Sequence, residues 1–145
     1  MFAYGQTGCG KTHTMMGPPS SHDGVSMEQE RGIIPKTIRH IFNFIDSAET
    51  DKKFLVRASY LEIYNESILD LLSQTGKQNL PIKEDPNKGI YVKDLTQVIV
   101  KTVPDCEKVL YAGLKNRKTG ATAMNKDSSR SHSIFTIYVE TAEEL

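Results

Sequence analysis

The chain has 145 residues, of which 38% are hydrophobic and 25% charged, as is typical of one globular domain or a part of one. Lys and Arg number 18, as do Asp and Glu, so net charge gives no argument for a nucleic-acid partner. No apolar run approaches the ~20 residues of a transmembrane helix, and we expect no membrane insertion. The cysteines Cys9 and Cys106 predict reduced thiols in a cytosolic protein, and the alternative is a redox role for Cys9.

The first predicted unit is a strand, a loop and a helix around a phosphate-binding motif. Residues 5–12, GQTGCGKT, fit G-x-x-x-x-G-K-[ST] at each fixed position. The glycines allow backbone N–H groups to point at phosphate oxygens, Lys11 supplies a cation, and Thr12 supplies a hydroxyl for Mg²⁺. The apolar residues 1–4 predict the end of a buried strand, and residues 12–16 predict the start of a helix. The alternative is a glycine-rich turn before a helix that carries a surface lysine.

The next segments predict a long loop, a helix and a central strand. Polar and chain-breaking residues from 17 to 32 predict a surface loop. A helix is expected to begin near Pro35. The β-branched and aromatic run from Lys53 to Tyr64 has few charges, so it predicts a strand in the centre of a sheet. The apolar face of the helix comprises Ile34, Ile38, Ile41, Phe42 and Ile45.

The region after this strand predicts further short elements. Residues 65–72 predict a short helix that is capped by Asn65. Residues 79–101 predict short strands around a turn at residues 85–89. The apolar side chains of the short helix are Ile68, Leu71 and Leu72.

The last part of the chain predicts a helix, a polar loop and a strand. The helix is expected from Pro104 to about Asn116, and Thr102 with Asp105 resembles a capping box. A polar loop over residues 118–131 and a strand over residues 133–140 follow. Cys106, Val109, Leu110 and Leu114 form the apolar stripe of the helix. The mixture of helices and strands on a phosphate-loop strand predicts an α/β sandwich.

A second unusual segment, residues 125–132, reads NKDSSRSH. Its composition alone favours an ordinary polar surface loop. Its combination with the phosphate loop favours a catalytic interpretation. Phosphoryl transfer needs groups that complete the Mg²⁺ shell, orient water and stabilise charge, and hydroxyl, amide and guanidinium groups suit these tasks.

The chain resembles the kinesin motor domain. The resemblance rests on residues 2–15, FAYGQTGCGKTHTM, on residues 59–66, SYLEIYNE, and on residues 125–133, NKDSSRSHS, and it covers essentially the whole chain. Cys9 stands where a small residue is usual, and Asp94 stands where a glycine is common. The resemblance implies an incomplete α/β three-layer sandwich of the P-loop NTPase type. It also implies an ATPase that uses ATP and Mg²⁺ to move along microtubules, and hence a cytoplasmic, cytoskeletal location.

The resemblance also implies individual roles for site residues. Asn125 would touch the γ-phosphate, Ser128 would position the attacking water, and Arg130 would pair with a glutamate of the family's second switch. His13 would stack on adenine, although a helix-surface position is the alternative, and His132 would be structural. Lys88 would lie in a microtubule-facing turn. The implied nucleotide-binding residues are Gly5, Gln6, Thr7, Gly8, Cys9, Gly10, Lys11, Thr12 and His13, and the implied metal ligands are Thr12 and Ser129.

Several parts of such a domain do not occur in the sequence. The second switch, Asp-Leu-Ala-Gly-Ser-Glu, is missing, as are the N-terminal strands, most of the microtubule-binding surface and the neck linker. We therefore expect residues 1–145 to be a partial motor domain whose oligomeric state is set by other regions. The isolated chain is expected to be poorly stable or to aggregate, because open strand edges and apolar faces are exposed. It is also expected to lack microtubule-stimulated turnover, because the sensing and coupling parts are absent.

Two other classes of protein remain as alternatives. A GTPase would need Asn-Lys-x-Asp, whereas Asn125-Lys126-Asp127 lacks the spacer, and a nucleotide kinase would need an arginine-rich lid. The other alternative is a nucleotide-free relic that binds tubulin or another partner. Both loops keep their chemical residues, which argues against such a relic.

Overall fold

The computed structural model describes residues 1–6, 8–18, 31–49, 51–123 and 130–143. The chain divides into two units, Met1–Thr50 and Asp51–Leu145, and each is described by itself. The first contains helices α1 (Lys11–Met16) and α2 (Ile33–Ser47). The second contains β1 (Lys52–Tyr64), β2 (Ser67–Asp70), β3 (Ile82–Asp85), β4 (Gly89–Val92), β5 (Val98–Ile99), α3 (Val103–Ala123) and β6 (Ser131–Glu143).

The two helices of the first unit agree with the sequence prediction. α2 begins just before Pro35, and it buries Pro35, Ile38 and Phe42 at helical spacing. The strand predicted for residues 1–4 is wrong: these residues form no strand in the described structure, and Phe2 and Tyr4 are exposed. A strand requires a ladder partner, and the described residues supply none to this segment.

β1 is the central strand of the main sheet, as its composition predicted. β6 pairs with it antiparallel along its whole length, from Lys52 opposite Glu143 to Tyr64 opposite Ser131. β2 and β5 pair with the other edge of β1, also antiparallel. Consecutive residues from Ala58 to Leu61 are buried, which indicates that both faces of the strand are covered there.

The helix predicted for residues 65–72 is wrong, because this segment completes a β-hairpin. Asn65 (φ 47°) and Glu66 (φ 63°) both have positive φ angles and form the tight turn between β1 and β2. Asn65 therefore serves as a turn residue and not as a helix cap. β2 buries Ile68 and Asp70, which are two residues apart, so the period is that of a strand.

The predicted turn at residues 85–89 joins β3 to β4, which pair antiparallel. The Asp85 carboxylate accepts hydrogen bonds from the backbone N–H groups of Asn87 (2.8 Å) and Lys88 (2.9 Å). These two bonds favour the ionised form and lower the pKa of Asp85.

α3 begins where the sequence predicted and ends later. The backbone N–H of Asp105 donates to Thr102 Oγ1 (3.2 Å), and the Asp105 carboxylate accepts from the N–H of Lys101 (3.2 Å). The helix continues to Ala123, so the loop predicted to start at residue 118 is wrong for residues 118–123. No proline interrupts this segment, and a glycine within a helix costs only about 1 kcal/mol. In the part of the chain that the structure describes, no helix is long and apolar enough to span a membrane.

Candidate functional site

The phosphate loop folds as a sequence of tight backbone turns that lead into α1. Gly5 (φ 146°), Gly8 (φ 81°) and Gly10 (φ 94°) adopt positive φ angles, which glycine tolerates and other residues rarely adopt. The N–H of Cys9 donates to the carbonyl of Gln6 (3.2 Å), which closes one of these turns. α1 begins directly at Lys11, with Gly10 as its N-cap residue. Glycine spacing in the motif therefore corresponds to the conformations that the loop requires.

Lys11 lies over the start of this loop. Its ammonium group donates to the carbonyl oxygens of Gly5 (2.7 Å) and Gln6 (3.0 Å). The side chain is only partly exposed, whereas Thr12 and His13 in the first turn of α1 are exposed. A cation is thus held against the loop, where the oxygens of a phosphate group can replace the two carbonyls as acceptors. This arrangement fits the predicted role of Lys11.

Gly5 and Cys9 approach each other closely across the loop. A Cβ atom on Gly5 would lie 2.6 Å from Cys9 Sγ, well inside van der Waals contact. Because rotation of the Cys9 side chain can relieve this contact, the φ angle of 146° is the stronger reason for glycine at position 5, which is also the first fixed position of the motif. Cys9 itself is an exposed, free cysteine.

A cleft of about 300 Å³ borders the phosphate loop in the first unit. Phe2, Tyr4 and Met15 contribute apolar surface to it, and Lys11 contributes the charge. The rings of Phe2 and Tyr4 lie 6.0 Å apart, centroid to centroid, and are tilted by 42°. The apolar residues 1–4 had predicted the end of a buried strand and not the wall of a cleft.

The described side chains include no group of three or more His, Cys, Asp or Glu residues that could hold a metal ion. A Mg²⁺ ion bound with a nucleotide does not need such a group, because it keeps several waters and uses phosphate oxygens with one or two protein oxygens. The exposed hydroxyl of Thr12 is of the right chemical type for one of these ligands.

The second predicted segment is described only at its end. Asn125, Ser128 and Ser129 lie outside the described residues, as does Thr7 of the phosphate loop. Arg130 is described and exposed, directly before β6, and it belongs to the second unit. His132 lies within β6, opposite Ile63 of β1, which is consistent with the structural role predicted for it.

Arg117 is a residue near this segment that the sequence analysis missed. Its Nε donates to Glu62 Oε1 (3.2 Å) and its Nη2 donates to Ser131 Oγ (3.1 Å). Glu62 was a usable signal, because a glutamate that directly follows the buried run of β1, residues 58–61, is expected to have a charged or hydrogen-bonding partner.

Comparisons with known proteins all point in one direction. The sequence profile of the kinesin motor domain matches residues 1–145. Kinesin-like protein klp-20 of Caenorhabditis elegans is 50% identical over 141 residues, which cover 97% of this chain and 21% of that protein. Kinesin-like protein KIF3C of Bos taurus is 48% identical over 143 residues, which cover 99% of this chain and 17% of that protein.

A solved structure supports the same comparison. The structure of a fast kinesin, reported with implications for its ATPase mechanism and its interactions with microtubules, superimposes with a TM-score of 0.83 and 44% identity. The match covers 95% of this chain and 37% of that chain. The likeness confirms the predicted α/β fold of the kinesin type. The chain spans about a fifth of the length of the two curated relatives.

Proposed function

This chain belongs to the kinesin motor domain family, and we propose on that premise that its phosphate loop binds ATP with Mg²⁺. The observation that carries the proposal is the position of the Lys11 ammonium, which is held over the glycine loop by the carbonyls of Gly5 and Gln6. A cation and glycines with positive φ angles suit the phosphates of a nucleoside triphosphate, and the exposed hydroxyl of Thr12 suits its metal ion.

We assign the remaining roles by the same proposal. Lys11 contacts the β- and γ-phosphates, Thr12 ligates Mg²⁺, and His13 stacks on adenine. Asn125 contacts the γ-phosphate, Ser128 positions the attacking water, and Ser129 is a second metal ligand. Arg130 supplies a positive charge within the second segment, residues 125–132. ATP supplies the transferable phosphoryl group and Mg²⁺ neutralises its charge, so the protein residues bind, orient and position water.

The proposed role of the whole protein is microtubule-based movement that is driven by ATP hydrolysis, with a cytoskeletal location in the cytoplasm. This proposal comes from the family and from a structural relative that was described together with its interactions with microtubules. Lys88 lies in the exposed turn of the β3–β4 hairpin, where a charged protein surface can reach it.

The first test is binding of a fluorescent ATP analogue to the 145-residue chain, with and without Mg²⁺. Lys11→Ala removes hydrogen bonds to a charged group, worth about 1.5–3 kcal/mol, so affinity should fall by about 10- to 100-fold. Lys108→Ala is the matched control, because it removes the same charge from an exposed position on α3. It should bind as the unaltered chain does.

Two results would contradict the proposal. If the folded, unaltered chain binds no ATP analogue, the chain is a nucleotide-free module. If Lys11→Ala binds as tightly as Lys108→Ala, the phosphate loop is not the nucleotide site. Competition by GTP as strong as that by ATP would show that the site does not select adenine, which would contradict the stacking role proposed for His13. Co-sedimentation with microtubules tests the second half of the proposal separately.

A further inference from the structure

Arg117 connects three parts of the second unit at one point. It lies on α3, its Nε contacts the Glu62 carboxylate on β1 at 3.2 Å, and its Nη2 contacts the Ser131 hydroxyl at 3.1 Å. Ser131 is the first residue of β6 and follows Arg130 directly. A single guanidinium group therefore joins a helix, the central strand and the start of the last strand.

The environment makes these contacts geometrically specific. The side chains of Arg117 and Glu62 are only 26% and 12% exposed, so solvent screens their attraction less than that of a surface pair. A planar guanidinium presents donors in fixed directions, so the contact with Glu62 also orients the donor that reaches Ser131. Lysine carries its three donors on one freely rotating nitrogen, so it does not hold two separate donors in fixed directions as the guanidinium does.

The part of α3 that carries Arg117 is fixed by contacts of its neighbouring residues. Asn116, its neighbour, donates from Nδ2 to the carbonyl of Leu71 (2.7 Å). One turn earlier, Gly113 packs directly on the ring of Tyr60, which lies on β1. The position of Arg117 relative to β1 is therefore set by backbone packing as well as by its own side chain.

We propose that Arg117 is a positioning residue that fixes the start of β6, and with it Arg130, against α3 and β1. β-ladder pairing alone leaves the end of a strand free to fray, because its terminal residues have few neighbours. Arg117 holds Ser131 at this end through its side chain. The inference deepens the proposed function and rests on it for the role of Arg130, but the contact itself stands on the described geometry.

The first test measures hydrogen–deuterium exchange of the backbone amides at the start of β6. Arg117→Lys keeps the charge beside Glu62, and Ser131→Ala keeps the ion pair, so both variants retain most of the packing. Loss of a hydrogen bond from a charged donor, worth about 1.5–3 kcal/mol, should speed local exchange by about 10-fold or more. Exchange in the middle of β1 should stay unchanged.

Glu140→Gln is the matched control. Glu140 on β6 forms an ion pair with Arg57 on β1, so the control weakens another side-chain bridge between the same two strands. That bridge lies further along the ladder, where Arg57 is opposite Tyr138. If Arg117 contributed only to general sheet stability, the control would speed exchange at the start of β6 as much as Ser131→Ala does. That result, or no change in Arg117→Lys and Ser131→Ala, would overturn the proposal.

A second readout separates positioning from nucleotide binding. A guanidinium group is suited to stabilising charge on the transferred phosphoryl group, so under the proposed function the position of Arg130 should matter for binding of the γ-phosphate and not for ADP. Ser131→Ala should therefore weaken binding of the β,γ-imido analogue of ATP by up to about 10-fold, because a smaller fraction of molecules has the conformation that binds it. The affinity for Mg²⁺·ADP should change by less than about twofold. Equal weakening of both nucleotides would contradict the positioning role. If the unaltered chain binds neither nucleotide, the proposed function fails, and the exchange experiment still decides whether Arg117 fixes the strand.

Discussion

Gly5 shows how a single missing side chain shapes the candidate site. Its φ angle of 146° is unfavourable for other residues, and a Cβ atom would meet Cys9 Sγ at 2.6 Å. We expect Gly5→Ala to lower the affinity for Mg²⁺·ATP by about 5- to 150-fold, since strain of this kind costs of order 1–3 kcal/mol. The melting temperature should change little, because the loop is exposed and contributes little buried apolar area.

A double variant divides this effect into its two causes. Cys9→Ala removes the sulfur atom, so Gly5→Ala combined with Cys9→Ala should recover part of the affinity that the steric contact cost. The backbone strain at position 5 persists in the double variant, so recovery should be incomplete. Full recovery would show that the φ angle at position 5 is unimportant. No recovery would show that the contact with Cys9 is unimportant.

Cys106 should make the free energy of unfolding depend on pH in the alkaline range. Burial, aided by the neighbouring charges of Glu107 and Asp105, raises the pKa of its thiol from 9.0 to about 11. Below pH 9.0 the thiol is protonated in both the folded and the unfolded chain, so its full contribution is present. Between pH 9.0 and about 11 only the unfolded thiol ionises, so the free energy of unfolding should fall as pH rises.

Urea unfolding in the presence of a reductant measures this effect. The difference in unfolding free energy between the unaltered chain and Cys106→Ala should be constant below pH 9.0 and should shrink steadily towards pH 11. Cys9→Ala is the control, because it removes the other thiol of the described residues from an exposed position and leaves the core intact. A difference that does not vary with pH would contradict the assignment to Cys106.

At the scale of single elements, the sequence predicted the strongly periodic segments well. α2, β1 and the start of α3 carry apolar segments that were recognised in the sequence, and the β3–β4 hairpin carries turn residues at 85–89. The hairpin turn at Asn65 and Glu66 was missed because Ile68, Leu71 and Leu72 also fit a helical spacing. Pairing with β1 across the tight turn decides between the two, and the spacing of apolar residues alone does not distinguish a short strand from a short helix.

The ends of elements and the composition of the site were predicted less completely. The full length of β6 follows from its pairing with β1, which local signals cannot report. The phosphate loop was predictable because its geometry requires glycine at fixed positions. Arg117 was not, because its partners Glu62 and Ser131 are distant in sequence and only the fold brings them together.

The packing of α3 on β1 yields a prediction at Gly113. A Cβ atom there would lie 2.1 Å from Cδ1 of Tyr60. Alanine favours a helix over glycine by about 1 kcal/mol, whereas overpacking of this kind costs about 1–3 kcal/mol. We expect Gly113→Ala to lower the free energy of unfolding in urea despite its better helix propensity.

The background of Tyr60→Ala provides the matched control for this prediction. Without the ring the added methyl group has space, so Gly113→Ala should become neutral or stabilising in that background. The reversal of sign isolates the contact with Tyr60 from the helix propensity. Destabilisation of equal size in both backgrounds would show that another neighbour, and not the ring, limits position 113.

On the scale of the whole chain, buried apolar residues are distributed unequally. Most of them belong to the second unit, where Val56, Tyr60, Val100 and Leu110 contribute to one core around β1. The first unit buries Ile38 and Phe42 of α2. Because hydrophobic burial is the main favourable contribution to stability, we expect the first unit to open more readily than the second.

Nucleotide binding should therefore act unequally on the two units. The phosphate loop belongs to the first unit, so opening of that unit releases the nucleotide. At a free concentration of about 100 times Kd, linkage adds about 2.7 kcal/mol to the free energy of such an opening. Hydrogen–deuterium exchange of the amides in α1 and α2 should slow by about 100-fold with the Mg²⁺·β,γ-imido analogue.

The second unit supplies the internal comparison. Amides in the middle of β1 exchange through opening of the second unit, which costs more free energy than opening of the first. That opening does not require the nucleotide to leave the phosphate loop, so exchange in β1 should slow much less than exchange in α1 and α2. Lys11→Ala should abolish the protection of α1 and α2, and Lys108→Ala should keep it. Equal slowing in both units would mean that they open together as one cooperative body. That result would contradict the expectation that the first unit opens more readily than the second. Slowing confined to the second unit would place the nucleotide elsewhere, because binding can protect only those segments whose opening it opposes.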